Sequence, residues 1–311
     1  MWLAWLASCL VAGCGGPGPA GGSTSAEVPR APRALVDFVP ADARGVLVLR
    51  PAELMARPEW EDVLAIAFPE AQREAFRERF VLRARDVREA AIVERPDGTL
   101  TFLRGDYSEH EWVEVMGRRM NTVVGRGTDP PQRVGFLGPD LREVVALDVG
   151  TVGYASPPGE VLGEVARAPR APTGLLAASL GALGETPLRY VRLEPLELPL
   201  DSPLGLVLAQ HRAFGVSLGP GTDPEIAEIE VAVVGEFPET AESNVESVAL
   251  ALLRSDLGRV LLGSSAAESL RVERGEEILR VRVQAPVPDI ARGLSALFVD
   301  EIEGIVGDSV F

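Results

Sequence analysis

The sequence predicts an α+β fold: antiparallel sheets with helices packed on one face, built from repeated hairpin-helix units in two similar halves. Three observations predict it. Short strand-like runs are joined by tight turn sequences, Pro96-Asp97-Gly98, Pro220-Gly221-Thr222-Asp223-Pro224 and Arg274-Gly275-Glu276. Runs with apolar residues at helical spacing follow these hairpins. The same order of elements recurs on both sides of Arg167-Ala168-Pro169-Arg170-Ala171-Pro172. Sequential hairpins favour an antiparallel sheet, which can bury one face under helices. A parallel βαβ sheet is the alternative.

The folded part begins near Ala34. Gly45 to Arg50 reads as a buried strand, and Pro51 opens a short helical piece through Met55. Pro58 suits the first turn of a second helix, on which Trp60, Val63, Leu64, Ala67 and Phe68 share a face. Glu70 to Phe80 continues as a helix beyond Pro69. Glu89–Glu94 and Thr99–Arg104 form the first hairpin around Pro96-Asp97-Gly98. A helix starts at Ser108. Ser108 and Glu111 have the spacing of a capping box, and Tyr107 and Trp112 that of a hydrophobic staple. Strands and turns fill Thr122 to Ala155, and Glu160 to Ala168 is a short helix. In the second half Arg189–Glu194 is a strand, and Ala213–Leu218 pairs with Ile226–Glu236. A long helix follows Pro238. Ser269–Arg274 pairs with Ile278–Gln284, and a last helix starts at Pro288. These elements give two folded segments, 34–168 and 169–311.

Composition narrows the function classes. Of the 311 residues 46% are hydrophobic and 24% charged, the balance of a globular chain. All 30 basic residues are Arg. Schiff-base chemistry, lysine-linked cofactors and the phosphate-loop lysine are therefore excluded. The net charge is −16: residues 27–150 carry −4 and residues 151–311 carry −12. Nucleic-acid binding needs a basic face and is not expected. Recruitment by anionic lipid is opposed by the same charge.

The chain's start carries a different signal. Met1 to Ala12 has no charged side chain and is mostly apolar, and Leu10-Val11-Ala12-Gly13-Cys14 ends it. Both cysteines of the chain, Cys9 and Cys14, fall in this stretch, and 15–33 is rich in Gly, Pro, Ser and Ala. The run is too short to span a bilayer, which takes roughly 20 residues, and has the length of a signal-peptide core. It resembles the signal peptide and lipobox of bacterial lipoproteins, although the Lys or Arg usual near the start is absent. The resemblance covers about the first 16 residues. It implies cleavage before Cys14, lipidation of Cys14 on its sulfur and new amino terminus, and a flexible tether over 14–33. Two or more acyl chains such as palmitate hold stably, each CH₂ adding about 0.8 kcal/mol. In this family an Asp after the lipidated Cys retains the protein at the inner membrane. Gly15 stands there, so the resemblance implies the outer membrane.

Three constellations are candidates for chemistry. Gly215-Val216-Ser217-Leu218-Gly219 matches the G-x-S-x-G elbow, which needs a strand before the Ser and a helix after it. A hairpin turn follows instead, and His110 and His211 both precede the Ser. His110 and Glu114 share one helix face near Asp106 and Glu109, as half of a zinc helix would, while Glu111 is taken by the capping box. Arg271, Arg274, Arg280 and Arg282 could receive an anion. They alternate with Leu270, Val272, Leu279, Val281 and Val283, which puts them on a solvent face pairing with Glu273, Glu276 and Glu277. None makes a complete catalytic, cofactor or metal set. The expectation is a lipid-anchored envelope protein, more a binding or structural module than an enzyme, its partners the membrane through Cys14 and an envelope protein. A lipid-anchored hydrolase or metal-dependent enzyme is the alternative.

Overall fold

The computed structural model describes residues 33–80, 82–108, 112, 115, 123–126, 133–136, 142–157, 161–195, 205 and 208–295. Every strand pairing among them is antiparallel, so the protein is α+β. Contacts divide these residues into two compact units, one of 33–52 and 72–172, the other of 53–71 and 173–295.

The first unit contains β1 (Gly45–Leu49), β2 (Val87–Arg95), β3 (Gly98–Gly105), β4 (Val123–Arg126), β5 (Arg133–Phe136), β6 (Arg142–Asp148) and β7 (Thr151–Ser156). Their order in the sheet is β1-β2-β3-β7-β6-β5-β4. The β2–β3 hairpin turns where the Pro-Asp-Gly sequence predicts. Gly98 sits at φ 153°, and a Cβ there would lie 2.5 Å from Pro157 Cδ. Only glycine fits that close approach. The core gathers Phe80, Leu82, Val87, Leu103, Trp112, Val144, Val152 and Tyr154. Tyr154 meets Phe80 and Trp112 edge-on, with ring centroids 4.7 and 5.0 Å away. Trp112 Nε1 donates to the Phe80 carbonyl at 2.6 Å, which satisfies its one polar atom. Trp112 N donates to Ser108 O at 3.0 Å, one helical turn back. The proposed cap at Glu111 lies outside the described residues.

The second unit holds β8 (Leu188–Arg192), β9 (His211–Pro220), β10 (Ile226–Gly235), β11 (Arg271–Arg274) and β12 (Ile278–Pro286), in the order β8-β9-β10-β12-β11. Helices among the described residues include α1 (Pro51–Met55), α2 (Glu61–Ala67), α3 (Glu70–Phe80), α4 (Val161–Arg167), α5 (Gly174–Leu183), α6 (Ala241–Arg254), α7 (Asp256–Leu262) and α8 (Ala266–Ser269), with 287–295 also helical. Alternation on the strands sorts the residues. Ala227, Ile229, Leu218 and Ala285 pack with Trp60, just before α2, with Val63 of α2, and with Ile290 and Ala291 of the last helical stretch. Val231, Val233 and Leu279, on the same face of the sheet, meet Phe237, Ala241 and Val245. Residues 53–71 therefore complete the core of the second unit.

Spacing alone did not reveal α5, because Gly174 to Leu183 is apolar or small on every side and has no amphipathic period. It packs on the opposite sheet face from α6: a Cβ on Gly215 would lie 2.7 Å from Leu183 Cδ1. Glycine at 215 leaves the room that the helix occupies.

Candidate functional site

Ser217 lies in the middle of β9, and all five residues of its G-x-S-x-G run pair with β10, Ser217 opposite Glu230. No strand-to-helix elbow forms, and the Ser is 1% exposed. On its other side β8 places Arg189 opposite it. His211 begins the same strand, buried, with Nδ1 against the Leu208 carbonyl. Six residues of extended strand separate His211 from Ser217, about 20 Å. Proton transfer needs contact near 3 Å, so this pair cannot form a nucleophile and base. His110, Glu111 and Glu114 lie outside the described residues, as do Cys9 and Cys14. Among the described residues no group of three His, Cys, Asp or Glu is placed to hold a metal.

The arginine cluster divides: Arg271 and Arg274 are exposed, as expected of a solvent face, whereas Arg280 and Arg282 are half-buried. Arg280 and Arg282 straddle Glu230, a carboxylate only 8% exposed, with contacts of 3.4 and 3.2 Å. Arg282 also reaches Glu273 at 3.5 Å. Its hydrogen bond to Glu230 raises its pKa above the ordinary guanidinium value. Arg274 leaves the group and donates to the Phe237 carbonyl at 2.9 Å. Arg280 also reaches the Ala182 carbonyl at 3.4 Å, and Arg189 donates to Gly184 O at 3.0 Å and to Glu185 at 3.2 Å. These are the carbonyls left open at the C-terminal end of α5, where cations satisfy hydrogen bonding and dipole together. The row Arg189-Ser217-Glu230-Arg282 lies on the α5 face of the sheet, and Arg189 together with Arg280 ties the end of α5 to it. Its charges are spent internally, so it does not present an anion receptor.

A cleft of about 480 Å³ opens in the first unit, lined by Asp42, Arg95, Thr99, Leu100, Val161 and Glu164 among others. Arg95 dominates it. Its Nη2 lies 2.8 Å from Asp42 Oδ2, its Nε 3.1 Å from both oxygens, and its Nη1 3.1 Å from Asp97. The hydrogen bond from Arg95 holds Asp42 below the usual carboxylate range, and Asp42 in turn raises Arg95. Three carboxylates around one committed guanidinium repel anions. What the arrangement does physically is fasten the loop before β1 to the β2–β3 turn. Neither Asp42–Arg95 nor Glu230 was singled out by sequence, since these partners lie far apart in the chain. The one signal was Glu230 itself, a charge amid the apolar run Ile229-Glu230-Val231-Ala232-Val233.

No family model and no curated protein matches this chain. Solved structures do. The fold is similar to that of TP0453 in crystal form III, with a TM-score of 0.50 at 8% identity, covering 86% of this chain and 100% of that one. Crystal form IV of TP0453 gives a TM-score of 0.49 at 9% identity, over 82% and 94% of the two chains. At such identity the likeness is one of fold. Among the described residues, no helix is long and apolar enough to cross a membrane.

Proposed function

We propose that the protein is a lipid-anchored component of the bacterial cell envelope, held at the outer membrane through Cys14. Its folded body acts as a binding or structural module rather than as an enzyme. The observation that carries this reading is the run Leu10-Val11-Ala12-Gly13-Cys14, which holds one of the chain's two cysteines and is followed at once by a Gly- and Pro-rich stretch. The non-enzymatic part rests on chemistry. The chain has no lysine, Ser217 is paired into a sheet interior away from His211, and the buried Glu230 and half-buried Arg95 are committed to structural partners.

Mass spectrometry of the mature amino terminus tests the anchor. Acylated Cys14 is the expected first residue; an unmodified chain retaining Met1 refutes it. Cys14→Ser should release the protein from membranes or block its maturation. Crosslinked pull-down of the anchored form from native membranes, compared with the Cys14→Ser form, then reads out an envelope partner.

A further inference from the structure

The second unit shows an outward apolar surface that its own core does not use. Leu253 packs inward with Ala266, Leu270 and Val283, and Ala249, Leu250 and Leu262 lie against that group. Leu252, Leu257 and Val260 instead stand 57%, 62% and 45% exposed on the corner between α6 and α7. Exposed Ala251 and half-buried Val248 and Leu261 continue the display. On α6, Val248, Ala251 and Leu252 are three and four apart. Leu257, Val260 and Leu261 repeat that spacing on α7.

The corner is held firmly. Ser255 ends α6 and caps α7, its Oγ accepting from Gly258 N at 3.1 Å. A Cβ on Gly258 would lie 2.8 Å from Leu253 Cα, so only glycine lets α7 turn this closely against α6. A Cβ on Gly293 would lie 2.6 Å from Leu261 Cα, so α7 also rests on the last helical stretch. The exposed side chains therefore belong to a fixed surface.

Its charge sets it apart from the rest of the chain. Residues 248–262 hold ten apolar residues, Arg254, Arg259 and a single acid, Asp256, which gives +1 in a half that carries −12. Asp256 pairs with Arg259 at 2.5 Å, so the aliphatic side chains have a near-neutral polar rim that includes Arg254. Such a surface matches the boundary of a zwitterionic phospholipid bilayer, where aliphatics enter the acyl region and polar groups remain at headgroup level. Chain length allows the approach: the nineteen residues 14–32 reach at most about 65 Å when extended.

We infer that the α6–α7 corner lies on the phospholipid surface, with Leu252, Leu257 and Val260 entering its outer acyl boundary. This adds a second, non-covalent contact and rests on the anchored reading above. Attraction to anionic lipid contributes little, because the chain as a whole is acidic.

The test is vesicle flotation of the chain beginning at Gly15, which lacks both the apolar leader and the lipid, beside a Leu252→Ser/Leu257→Ser/Val260→Ser version of it. Vesicles of phosphatidylethanolamine and phosphatidylcholine are used at low and high salt. The unlipidated chain should float weakly and independently of salt, and the triple variant should partition at least about tenfold less, with unchanged circular dichroism and Tm. Equal flotation of the two chains, or none by either, overturns the inference. So does self-association in solution that the triple variant abolishes, since a second copy would then cover the surface. Failure of the anchor reads separately, as an unacylated mature terminus, and leaves the flotation result standing.

Discussion

Removing the carboxylate of Glu230 should destabilise the second unit by about 2 kcal/mol, and Glu230→Gln is the cleanest way to do it. The side chain keeps its size, so no cavity confuses the result. What it loses is the charge between Arg280 and Arg282. Breaking a fully buried ion pair costs about 3–5 kcal/mol, while an exposed pair contributes about 0–1 kcal/mol. Glu230's side chain is 10% exposed but its partners are 30% and 38% exposed, so each arginine recovers part of its hydration when the acid goes. The expected loss therefore falls between the two limits. Arg280 also holds the end of α5, so strain passes to that helix. Chemical denaturation followed by circular dichroism reads the loss as a shift in midpoint, and thermal melting should fall by about 5 °C. A double-mutant cycle with Arg282→Gln should return coupling of about 1 kcal/mol or more, since the two residues share one contact. If Glu230→Gln unfolds within about 0.5 kcal/mol of the parent, or the two substitutions simply add, the row is an ordinary solvated surface and its structural role is refuted.

Two other substitutions examine the first unit. Asp42→Asn should cost about 0.5–1 kcal/mol at neutral pH, because Asp42 is half exposed and its pair with Arg95 is partly screened. Asp42's folded pKa is lowered from the ordinary 3.8, so its contribution is complete above that value and is lost as pH falls through the folded value. Acid titration of stability should accordingly show a limb below about pH 4 that Asp42→Asn lacks; equal acid limbs would disprove the pairing. Trp112→Phe keeps an aromatic ring beside Tyr154 but removes the Nε1 donor to the Phe80 carbonyl. It should cost about 2 kcal/mol by urea denaturation, and a neutral result would mean that the carbonyl finds another partner.

Much of this protein was written into short stretches of sequence. Pro96-Asp97-Gly98 determined a turn because the backbone there needs a residue without Cβ. The strand-like runs 213–218 and 226–236, joined by a Pro-Gly and Asp-Pro turn, determined two paired strands, but not the burial of Gly215, Ser217 and Glu230, which helix α5 covers from the other face. Those signals are local, since turn geometry and side-chain periodicity act within a few residues. The α+β class follows from adding them. Tertiary structure decided the rest. It placed α5, whose all-apolar sequence has no period to read, in the space left by Gly215. It brought residues 53–71 into the core of 173–295. It set Arg282 beside Glu230, 52 positions away, and Arg95 beside Asp42, 53 positions away. Alternation on 270–283 marked the arginines as lying on one face, but strand register and the end of α5 decided that the face would be shared with a buried acid. A pattern records which side of a strand is apolar. The charge that waits across the sheet is set only when distant strands come into register, because electrostatic partners are chosen by distance in space.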